Sequence, residues 1–406
     1  MPDGAPGAFE RLLDDAFKRD RGLDGRDRAF TVNLVQGVLR WRLRLDWILE
    51  SYIRFPFERM EPDILTILRI ALYQMLFLDR VPASAAVNEA VKQASVLGRP
   101  HLKRFVNGIL REIGRNPEKW KLPSREKDPI LHLSIRYSYP GWIVSKWVGE
   151  LGAESAESLL NAGNSVSPLV LRAFGGLAGR DRLLENLTAE EIQVSRTEFS
   201  PDGLAVGNLQ CPVTEIRAFR EGLCTVQGEA AQIASRLLGP VPGEEVLDLC
   251  AGLGGKTTHL TELMGDRGFV MALDLNHRRL RDLARTAARM GLHSIRSVAA
   301  DACGNPAGWI GKRFDRVIVD APCSALGTVS RHPDVKWCRK EEDVSRLSSL
   351  QLRLLDSALE LLRTGGRLLY ATCTISKEEN EQVVETFAGK HKNVSVENLK
   401  LSAPDW

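Results

Sequence analysis

The stretch Val246-Leu-Asp-Leu-Cys-Ala-Gly-Leu-Gly-Gly-Lys-Thr-Thr258 decides the fold. Its pattern predicts a buried strand, a tight turn at Gly252, Gly254 and Gly255, and a helix that starts at Lys256. The first βα turn of a doubly wound α/β domain has this form. Glycines there let the backbone approach a ligand closely, because no Cβ intrudes. We therefore predict an α/β chain with a small-molecule site at this turn.

The spacing of the turn narrows the choice of ligand. A phosphate-cradling P-loop would need glycine at the position of Cys250, and a dinucleotide fingerprint would need glycine at Thr257. S-adenosylmethionine has a ribose but no phosphates, so it needs only the turn and a carboxylate for the ribose hydroxyls. Asp274 ends the next predicted strand, at the spacing of about 20 residues that such folds use. These residues favour S-adenosylmethionine, and a nicotinamide site or a purely structural turn remains as the alternative.

The amino-acid composition limits the number of domains and indicates the kind of binding partner. With 406 residues, of which 44% are hydrophobic, the chain is long enough for two or three domains with separate cores. The net charge is only +3, but residues 1–140 carry 24 Lys and Arg against 18 Asp and Glu. This basic amino-terminal region favours a polyanionic partner.

The cysteines and the apolar runs indicate the compartment. All seven cysteines fall in the second half and none forms a Cys-x-x-Cys pair, which argues against a disulfide framework and against a metal site. Residues 1–7 lack the pattern of a signal peptide, and the strongest apolar run, Ile70 to Leu78, is far shorter than the ~18 residues of a membrane span. We expect a cytoplasmic monomer with no metal and no membrane partner.

Three regions follow one another along the chain. Residues 1–140 show helical periodicity, and on one helix Arg104 and Arg111 lie opposite the apolar face. Such a basic face suits RNA, although it is also typical of the solvated surface of a helical bundle. Residues 141–225 contain short β-prone runs and predict a small α+β subdomain. Residues 226–406 alternate strands and helices, which predicts a parallel sheet in the order 3-2-1-4-5. Its strands are expected at about 244–249, 269–273, 295–299, 316–320 and 367–372.

Two cysteines are expected to meet at the carboxyl ends of strands 4 and 5. Strand 4 ends at Asp320-Ala-Pro-Cys323 and strand 5 at Thr372-Cys373. Neighbouring strands lie about 4.8 Å apart, so both thiols and the carboxylate of Asp320 should converge beside the methyl donor. A single buried cysteine is commonly just a small apolar residue, but two in one crevice suggest chemistry. We expect Lys256 and a capped helix at Ser376–Glu379 to lower the pKa of the Cys373 thiol.

A thiol beside a methyl donor suits methylation of a pyrimidine at carbon 5. Thiolate addition to carbon 6 makes carbon 5 nucleophilic enough to take the methyl group. Asp320 would bind the amine and ring-nitrogen edge of the base. Amine methylation is the rival reaction; it needs no thiol and typically uses Asn/Asp-Pro-Pro-aromatic, where this chain has Asp320-Ala-Pro-Cys323.

The chain resembles a known family over nearly its whole length. The segments 67–74, 79–90 and 105–111 resemble the NusB-like helical RNA-binding domain, and residues 141–225 are similar to an RNA-recognition-like subdomain. The rest resembles the Rossmann-like class I methyltransferase domain of RNA 5-methylcytosine methyltransferases of the Sun/Fmu type. This resemblance implies domains at 1–140, 141–225 and 226–406.

The resemblance also implies roles for individual residues. Cys373 corresponds to the nucleophile, and Cys323 to the cysteine that helps to release the product. Residues 331–337 and 379–381 match segments near the target base. The implied cofactor-binding residues are Cys250, Ala251, Gly252, Leu253, Gly254, Gly255, Lys256, Asp274, Asp301 and Asp320. The implied RNA-binding residues are Arg331, His332, Lys336, Arg104 and Arg111.

The expected function is methylation of a cytosine in small-subunit (16S) ribosomal RNA with S-adenosylmethionine as cofactor. Transfer RNA is the alternative substrate, and a non-catalytic RNA chaperone with a retained fold is the alternative class. The chain departs from the family at Gly252-Leu253, where Ala-Pro is usual. It also ends after one possible strand, 393–401, where the family continues with a closing pair, so either the sheet edge is abbreviated or the sequence is truncated.

Overall fold

The computed structural model describes residues 8–20, 22–207, 209 and 211–398. The chain divides into two compact units. The helical unit comprises residues 1–166 and 326–341, and the sheet unit comprises residues 167–325 and 342–406.

The described residues form seventeen helices and nine strands, apart from short 3₁₀ turns. The helices are α1 (Ala8–Arg19), α2 (Gly25–Tyr52), α3 (Pro62–Phe77), α4 (Ala83–Val96), α5 (Pro100–Arg115), α6 (Pro129–Tyr137), α7 (Gly141–Leu151), α8 (Ala153–Ala162), α9 (Gly176–Ala189), α10 (Arg217–Arg220), α11 (Glu229–Leu238), α12 (Gly255–Leu263), α13 (His277–Arg289), α14 (Pro306–Ile310), α15 (Val335–Cys338), α16 (Glu341–Leu361) and α17 (Glu381–Lys390). The strands are β1 (Leu169–Ala173), β2 (Val194–Arg196), β3 (Gly203–Val206), β4 (Cys224–Val226), β5 (Glu245–Asp248), β6 (Phe269–Asp274), β7 (Ile295–Ala299), β8 (Phe314–Asp320) and β9 (Leu362–Ala371).

The helical unit is organised around α3, which packs against α2, α4 and α5. The helix α3 is apolar almost all round, as expected for the centre of a bundle. On α5 the buried residues Leu102, Val106 and Leu110 recur at intervals of four, which places them on one face of the helix. Arg104 and Arg111 are exposed, as the periodicity predicts. No helix among the described residues has the length and apolarity that a bilayer crossing requires.

Residues 326–341 belong to the helical unit, although they lie far along the chain from the rest of it. Lys336 is fully buried there. Its Nζ donates to the carbonyl oxygens of Arg40 and Ser138, both at 3.1 Å, and to Oδ1 of Asn164 at 2.7 Å. The expectation that Lys336 contacts RNA is therefore wrong for this structure, because its three donors are satisfied inside the unit and none reaches solvent.

The sheet unit contains an antiparallel and a parallel sheet. The antiparallel sheet has the order β2-β3-β1-β4, with α9 crossing between β1 and β2. Its fourth strand, β4, is too short and irregular in sequence to have been expected. The parallel sheet has the order β7-β6-β5-β8-β9, which is the predicted order 3-2-1-4-5 with all four pairings parallel.

The burial of the parallel sheet between helices explains why the sequences of its strands are apolar. Leu247, Val317 and Val319 are fully buried between layers of helices, including α16 and α17. Strands covered on both faces have continuous apolar runs instead of alternation. The strand expected at 393–401 does not form over its described part, 393–398, and the remainder lies outside the described residues.

Candidate active site

The residues between β5 and α12, 249–254, form a glycine loop at the carboxyl end of the central strand. Gly252 has φ +56° and Gly254 has φ +81°, a region that favours glycine. A Cβ on Gly254 would lie 2.3 Å from the side chain of Leu283, whereas a Cβ on Gly252 would meet nothing within 4 Å. Gly254 is thus required by packing, and Gly252 borders open space. Leu253, in the place of the family's usual proline, is 63% exposed.

Asp274, at the end of β6, fastens the glycine loop. Its Oδ2 accepts the backbone N–H of Gly252 at 2.8 Å, and its Oδ1 accepts that of Asn276 at 2.7 Å. The backbone N–H of Ala251 donates to a carbonyl of β6 at 2.8 Å. Burial raises the pKa of the Cys250 thiol well above its usual value, so this thiol is protonated and unreactive. Each carboxylate oxygen of Asp274 keeps a free lone pair for a further donor.

Two more predicted carboxylates follow the neighbouring strands. Asp301, after β7, is exposed and its Oδ1 accepts the backbone N–H of Cys303 at 2.9 Å. Asp320, at the end of β8, has its Oδ2 2.6 Å from Nζ of Lys256, in the first turn of α12. The structure therefore brings Lys256 and Asp320 together as an ion pair beside the glycine loop.

Asp248, the last residue of β5, was not among the predicted site residues. Its Oδ2 accepts the hydroxyl of Thr257 at 2.7 Å, but its Oδ1 is buried without a partner. Burial, reinforced by the nearby charge of Asp320, raises the pKa of Asp248 from 3.8 to about 7. A buried strand-end aspartate that holds a proton near neutral pH distinguishes this site from an ordinary surface turn.

Asp248→Asn is expected to remove a pH dependence of stability. Between pH 4 and pH 7 the unfolded carboxyl has lost its proton while the folded one keeps it, so the wild-type free energy of unfolding falls as pH rises through this window. The loss is on the order of 4 kcal/mol, and asparagine avoids it because it cannot ionise. Urea unfolding at pH 4.5 and pH 8 measures the difference. Asp266→Asn is the control: hydrogen bonds from Ser294 and His293 lower the pKa of Asp266 from 3.8, so this carboxyl is ionised in both states above pH 4.5 and the variant should keep the pH dependence of wild type. An Asp248→Asn profile parallel to wild type would contradict the assignment.

The two cysteines meet as expected from the strand order. Sγ of Cys323 and Sγ of Cys373 lie 3.1 Å apart, and the backbone N–H of Cys373 donates to Sγ of Cys323 at 3.3 Å. The hydrogen bond with Cys373 lowers the pKa of Cys323, although burial opposes it. The same hydrogen bond, together with burial, raises the pKa of Cys373. The charge of Lys256 lowers the pKa of Cys373, as expected, but the hydrogen bond with Cys323 and desolvation outweigh it, so the pKa of Cys373 is raised overall.

Glu379 fixes the two cysteine-bearing loops to each other. Its fully buried carboxylate accepts the backbone N–H of Ser324 at 2.8 Å, the Ser324 hydroxyl, and Nε2 of Gln351 at 3.0 Å. The Ser324 hydroxyl also lies 2.7 Å from the hydroxyl of Thr374. The predicted capping box is therefore wrong: Ser376 makes no side-chain cap, and Glu379 turns inward instead of back to it. The role of Glu379 could have been predicted only from the burial of its carboxylate, and the local sequence does not show that this residue is buried.

The remaining predicted RNA residues lie in the helical unit. Arg331 is exposed, as are Arg104 and Arg111 on α5. His332 is partly buried, and its Nδ1 lies 2.9 Å from a carboxylate oxygen of Glu10, an interaction that raises the pKa of the histidine. Within the described residues, no group of His, Cys, Asp and Glu is arranged to hold a metal ion.

Comparisons with known proteins assign this arrangement to a family. Residues 235–405 match the family 16S rRNA methyltransferase RsmB/F, residues 5–115 match the NusB family, and residues 139–214 match the ferredoxin-like domain of RsmF/B-like methyltransferases. Ribosomal RNA small subunit methyltransferase B of Pseudomonas syringae pv. tomato is 38% identical over 365 residues, which cover 90% of this chain and 80% of the relative. This chain belongs to the RsmB/F methyltransferase family.

Solved structures support the fold of this RsmB/F family member. The crystal structure of PH0851 is 28% identical, covers 95% of this chain and 86% of that one, and has a TM-score of 0.78. NSun6 from Pyrococcus horikoshii, solved with the S-adenosylmethionine analogue SFG, shares the fold at 22% identity and a TM-score of 0.57, over 63% of this chain and 88% of that one. The predicted fold class, family and S-adenosylmethionine dependence are confirmed.

Proposed function

We propose that this methyltransferase transfers a methyl group to carbon 5 of a cytosine in small-subunit (16S) ribosomal RNA. The observation that carries the proposal is the 3.1 Å approach of the Cys323 and Cys373 sulfur atoms. The ion pair of Asp320 with Lys256 lies at the end of the adjoining strand β8. Amine methylation would leave both thiols without a role, whereas carbon-5 methylation needs a thiolate.

The residues of the glycine loop fit S-adenosylmethionine. Gly252 borders open space at the carboxyl edge of the sheet, and the half-buried carboxylate of Asp274 has lone pairs for ribose hydroxyls. Asp301, which is exposed after the next strand, would accept from the adenine amine. When bound, the cofactor supplies an electrophilic methyl group on a sulfonium. The proposed cofactor-binding residues are Cys250, Ala251, Gly252, Leu253, Gly254, Gly255, Lys256, Asp274, Asp301 and Asp320.

Cys373 acts as the nucleophile in the proposed reaction. The proton of its thiol passes by way of the Cys323 thiolate to ring nitrogen 3 as sulfur bonds to carbon 6, and the carboxylate of Asp320 accepts the resulting N–H. Carbon 5 then takes the methyl group, leaving a neutral thioether in place of the donor's sulfonium. Cys323, whose pKa is lowered by its hydrogen bond with Cys373, removes the proton from carbon 5 and later releases it to solvent. The bond between carbon 6 and Cys373 breaks, ring nitrogen 3 returns its proton to the departing thiolate, and the ring regains its aromatic system.

Nucleoside analysis of methylated RNA tests the proposal. Unmodified 16S ribosomal RNA and transfer RNA are each incubated with enzyme and methyl-labelled S-adenosylmethionine, then digested and separated by mass. The expected result is labelled 5-methylcytosine from the ribosomal RNA only. Label in transfer RNA alone would support the alternative substrate, 4-methylcytosine would support amine methylation, and no label would favour the non-catalytic RNA chaperone. Bisulfite sequencing of the labelled RNA then locates the cytosine.

The arginines of α5 are proposed to contact RNA phosphates. Arg104→Gln with Arg111→Gln should weaken RNA binding at low salt, because two exposed cations are lost. The slope of log K against log salt concentration should fall by about 1.4, taking about 0.7 per single-strand phosphate contact. Filter binding across a salt series measures this slope. Arg285→Gln, which removes an exposed arginine of α13 in the sheet unit, is the control. An unchanged slope in the α5 variant would exclude these two residues as phosphate contacts.

We also propose the division into domains 1–140, 141–225 and 226–406, and a cytoplasmic monomer. The compact units divide at residue 166 instead of 140, and the helical unit also includes residues 326–341. The proposed division places α7 and α8 in the second domain, whereas both belong to the helical unit. The seven cysteines, all free, suit a reducing compartment. Gel filtration with light scattering tests the oligomeric state.

A further inference from the structure

We propose that Arg172, a residue of the small antiparallel sheet, is a positioning residue for the methyl donor and acts through the first turn of α12. The inference deepens the proposed function, since it rests on the glycine loop binding S-adenosylmethionine. Arg172 lies on β1, in the region similar to an RNA-recognition-like subdomain, and more than 70 residues before the glycine loop.

Arg172 is fully buried, and most of the contacts of its guanidinium are with α12. Nη1 donates to the carbonyl oxygen of Gly255 at 2.8 Å, and Nη2 donates to the hydroxyl of Thr258 at 3.2 Å. Nε lies 3.3 Å from the carboxylate of Glu262, and Nη1 also donates to the side chain of Gln227. One side chain thus contacts three residues of α12, at its first position and over the following two turns.

The contact with Gly255 links Arg172 to the glycine loop. Gly255 directly follows Gly254, the left-handed residue that caps α12. The Thr258 hydroxyl, which accepts from Arg172, in turn donates to the carbonyl oxygen of Gly254 at 2.8 Å. If α12 slid or turned, the guanidinium would lose these partners while remaining buried, which is strongly unfavourable for a charged group. Arg172 therefore resists displacement of the segment that presents backbone N–H groups to the ligand.

The charge of Arg172 is maintained despite its burial. Desolvation lowers the pKa of Arg172 to about 10, and the carboxylate of Glu262 opposes this effect. At neutral pH the group is therefore still a cation. The second oxygen of Glu262 accepts the backbone N–H of Gly175, just after β1, at 2.8 Å. The antiparallel sheet thus holds α12 through two separate contacts, one of them charged and fixed in geometry by the planar guanidinium.

Arg289 provides a matched control within the sheet unit. It lies on α13 and also joins the antiparallel sheet to the parallel one, with Nη1 donating to the carbonyl oxygen of Cys224 at 2.9 Å. Its guanidinium stacks on the ring of Phe219 at 3.9 Å. It makes no contact with α12 among those that the structure describes. Loss of Arg289 should therefore destabilise the same junction without moving the glycine loop.

The experiment compares Arg172→Met and Arg289→Met in the full chain. Melting temperature, calorimetric Kd for S-adenosylmethionine without RNA, and KM for each substrate are measured, all below the melting transition. We expect both variants to melt earlier. Only Arg172→Met should weaken S-adenosylmethionine binding, by tenfold or more, and raise the KM for the cofactor while the KM for RNA stays unchanged. Arg172→Lys keeps the charge but loses the planar guanidinium, so it should weaken S-adenosylmethionine binding by a smaller factor. It replaces Arg172→Met if that variant does not fold.

Two results would overturn the inference. One is wild-type affinity for S-adenosylmethionine in the folded Arg172 variants. The other is an equal loss of affinity in the Arg289 variant, which would mean that any damage to the junction acts in the same way. Failure of the proposed reaction is separable, because binding is measured without RNA: a wild-type chain that binds S-adenosylmethionine but makes no 5-methylcytosine would refute the carbon-5 proposal and leave the role of Arg172 standing.

Discussion

Replacing Cys373 with alanine is expected to abolish methyl transfer, with a loss of about 10⁴-fold or more, as when a covalent nucleophile is removed. The reason is chemical: without a sulfur bond at carbon 6, carbon 5 of cytosine is too weak a nucleophile for the methyl group. Binding of S-adenosylmethionine and of RNA should stay within a few fold of wild type, because the Cys373 side chain contacts neither the glycine loop nor α5 among the described contacts. Transfer of labelled methyl groups to 16S ribosomal RNA measures the effect.

The control for this prediction is Cys211→Ala, a free cysteine of the same unit that is partly exposed. It should retain full activity. Substantial methylation by Cys373→Ala would refute its role as nucleophile. Cells that lack the gene provide a further test. If wild type and Cys373→Ala rescue their growth defect equally well, the non-catalytic chaperone is favoured instead.

Replacing Cys323 with alanine is expected to trap a covalent complex between protein and RNA. The nucleophile still adds to carbon 6 and the methyl group is still transferred, but the base 3.1 Å from Cys373 is missing, so the proton on carbon 5 stays and the sulfur cannot leave. The adduct should accumulate towards one RNA per protein. It appears as a slow-migrating, nuclease-sensitive band on a denaturing gel.

The double variant Cys323→Ala with Cys373→Ala is the control for the trapped complex. Because the adduct forms through Cys373, the band should disappear. A band that survives in the double variant would show attachment elsewhere in the chain. Normal turnover by Cys323→Ala, without any adduct, would exclude Cys323 as the residue that releases the product.

The order of the parallel sheet could be predicted from sequence because it depends on local signals and on general rules of connection. The turn at Gly252 and Gly254 marks the first strand, and right-handed crossovers leave few alternatives for the rest. The meeting of Cys323 with Cys373 follows from that order, since both end neighbouring strands. The positions of Asp274 and Asp320 at strand ends follow in the same way.

Other features depend on contacts that local sequence does not encode. Lys336 and Arg40 are separated by 296 positions, and nothing near Lys336 distinguishes it from an exposed lysine. The inward turn of Glu379 depends on Ser324, 55 residues earlier. The opposite pKa shifts of the two thiols depend on the hydrogen bond between Cys323 and Cys373, which lie 50 residues apart. Tertiary packing decides all three.

The inclusion of residues 326–341 in the helical unit bears on how that unit could be prepared alone. A recombinant fragment ending at residue 166 would leave the carbonyl groups of Arg40 and Ser138, and the side chain of Asn164, without the ammonium group that joins them in the intact protein. A synthetic peptide spanning 326–341 should therefore bind such a fragment and raise its melting temperature. The helical unit of this protein is thus completed by a segment from much later in the chain.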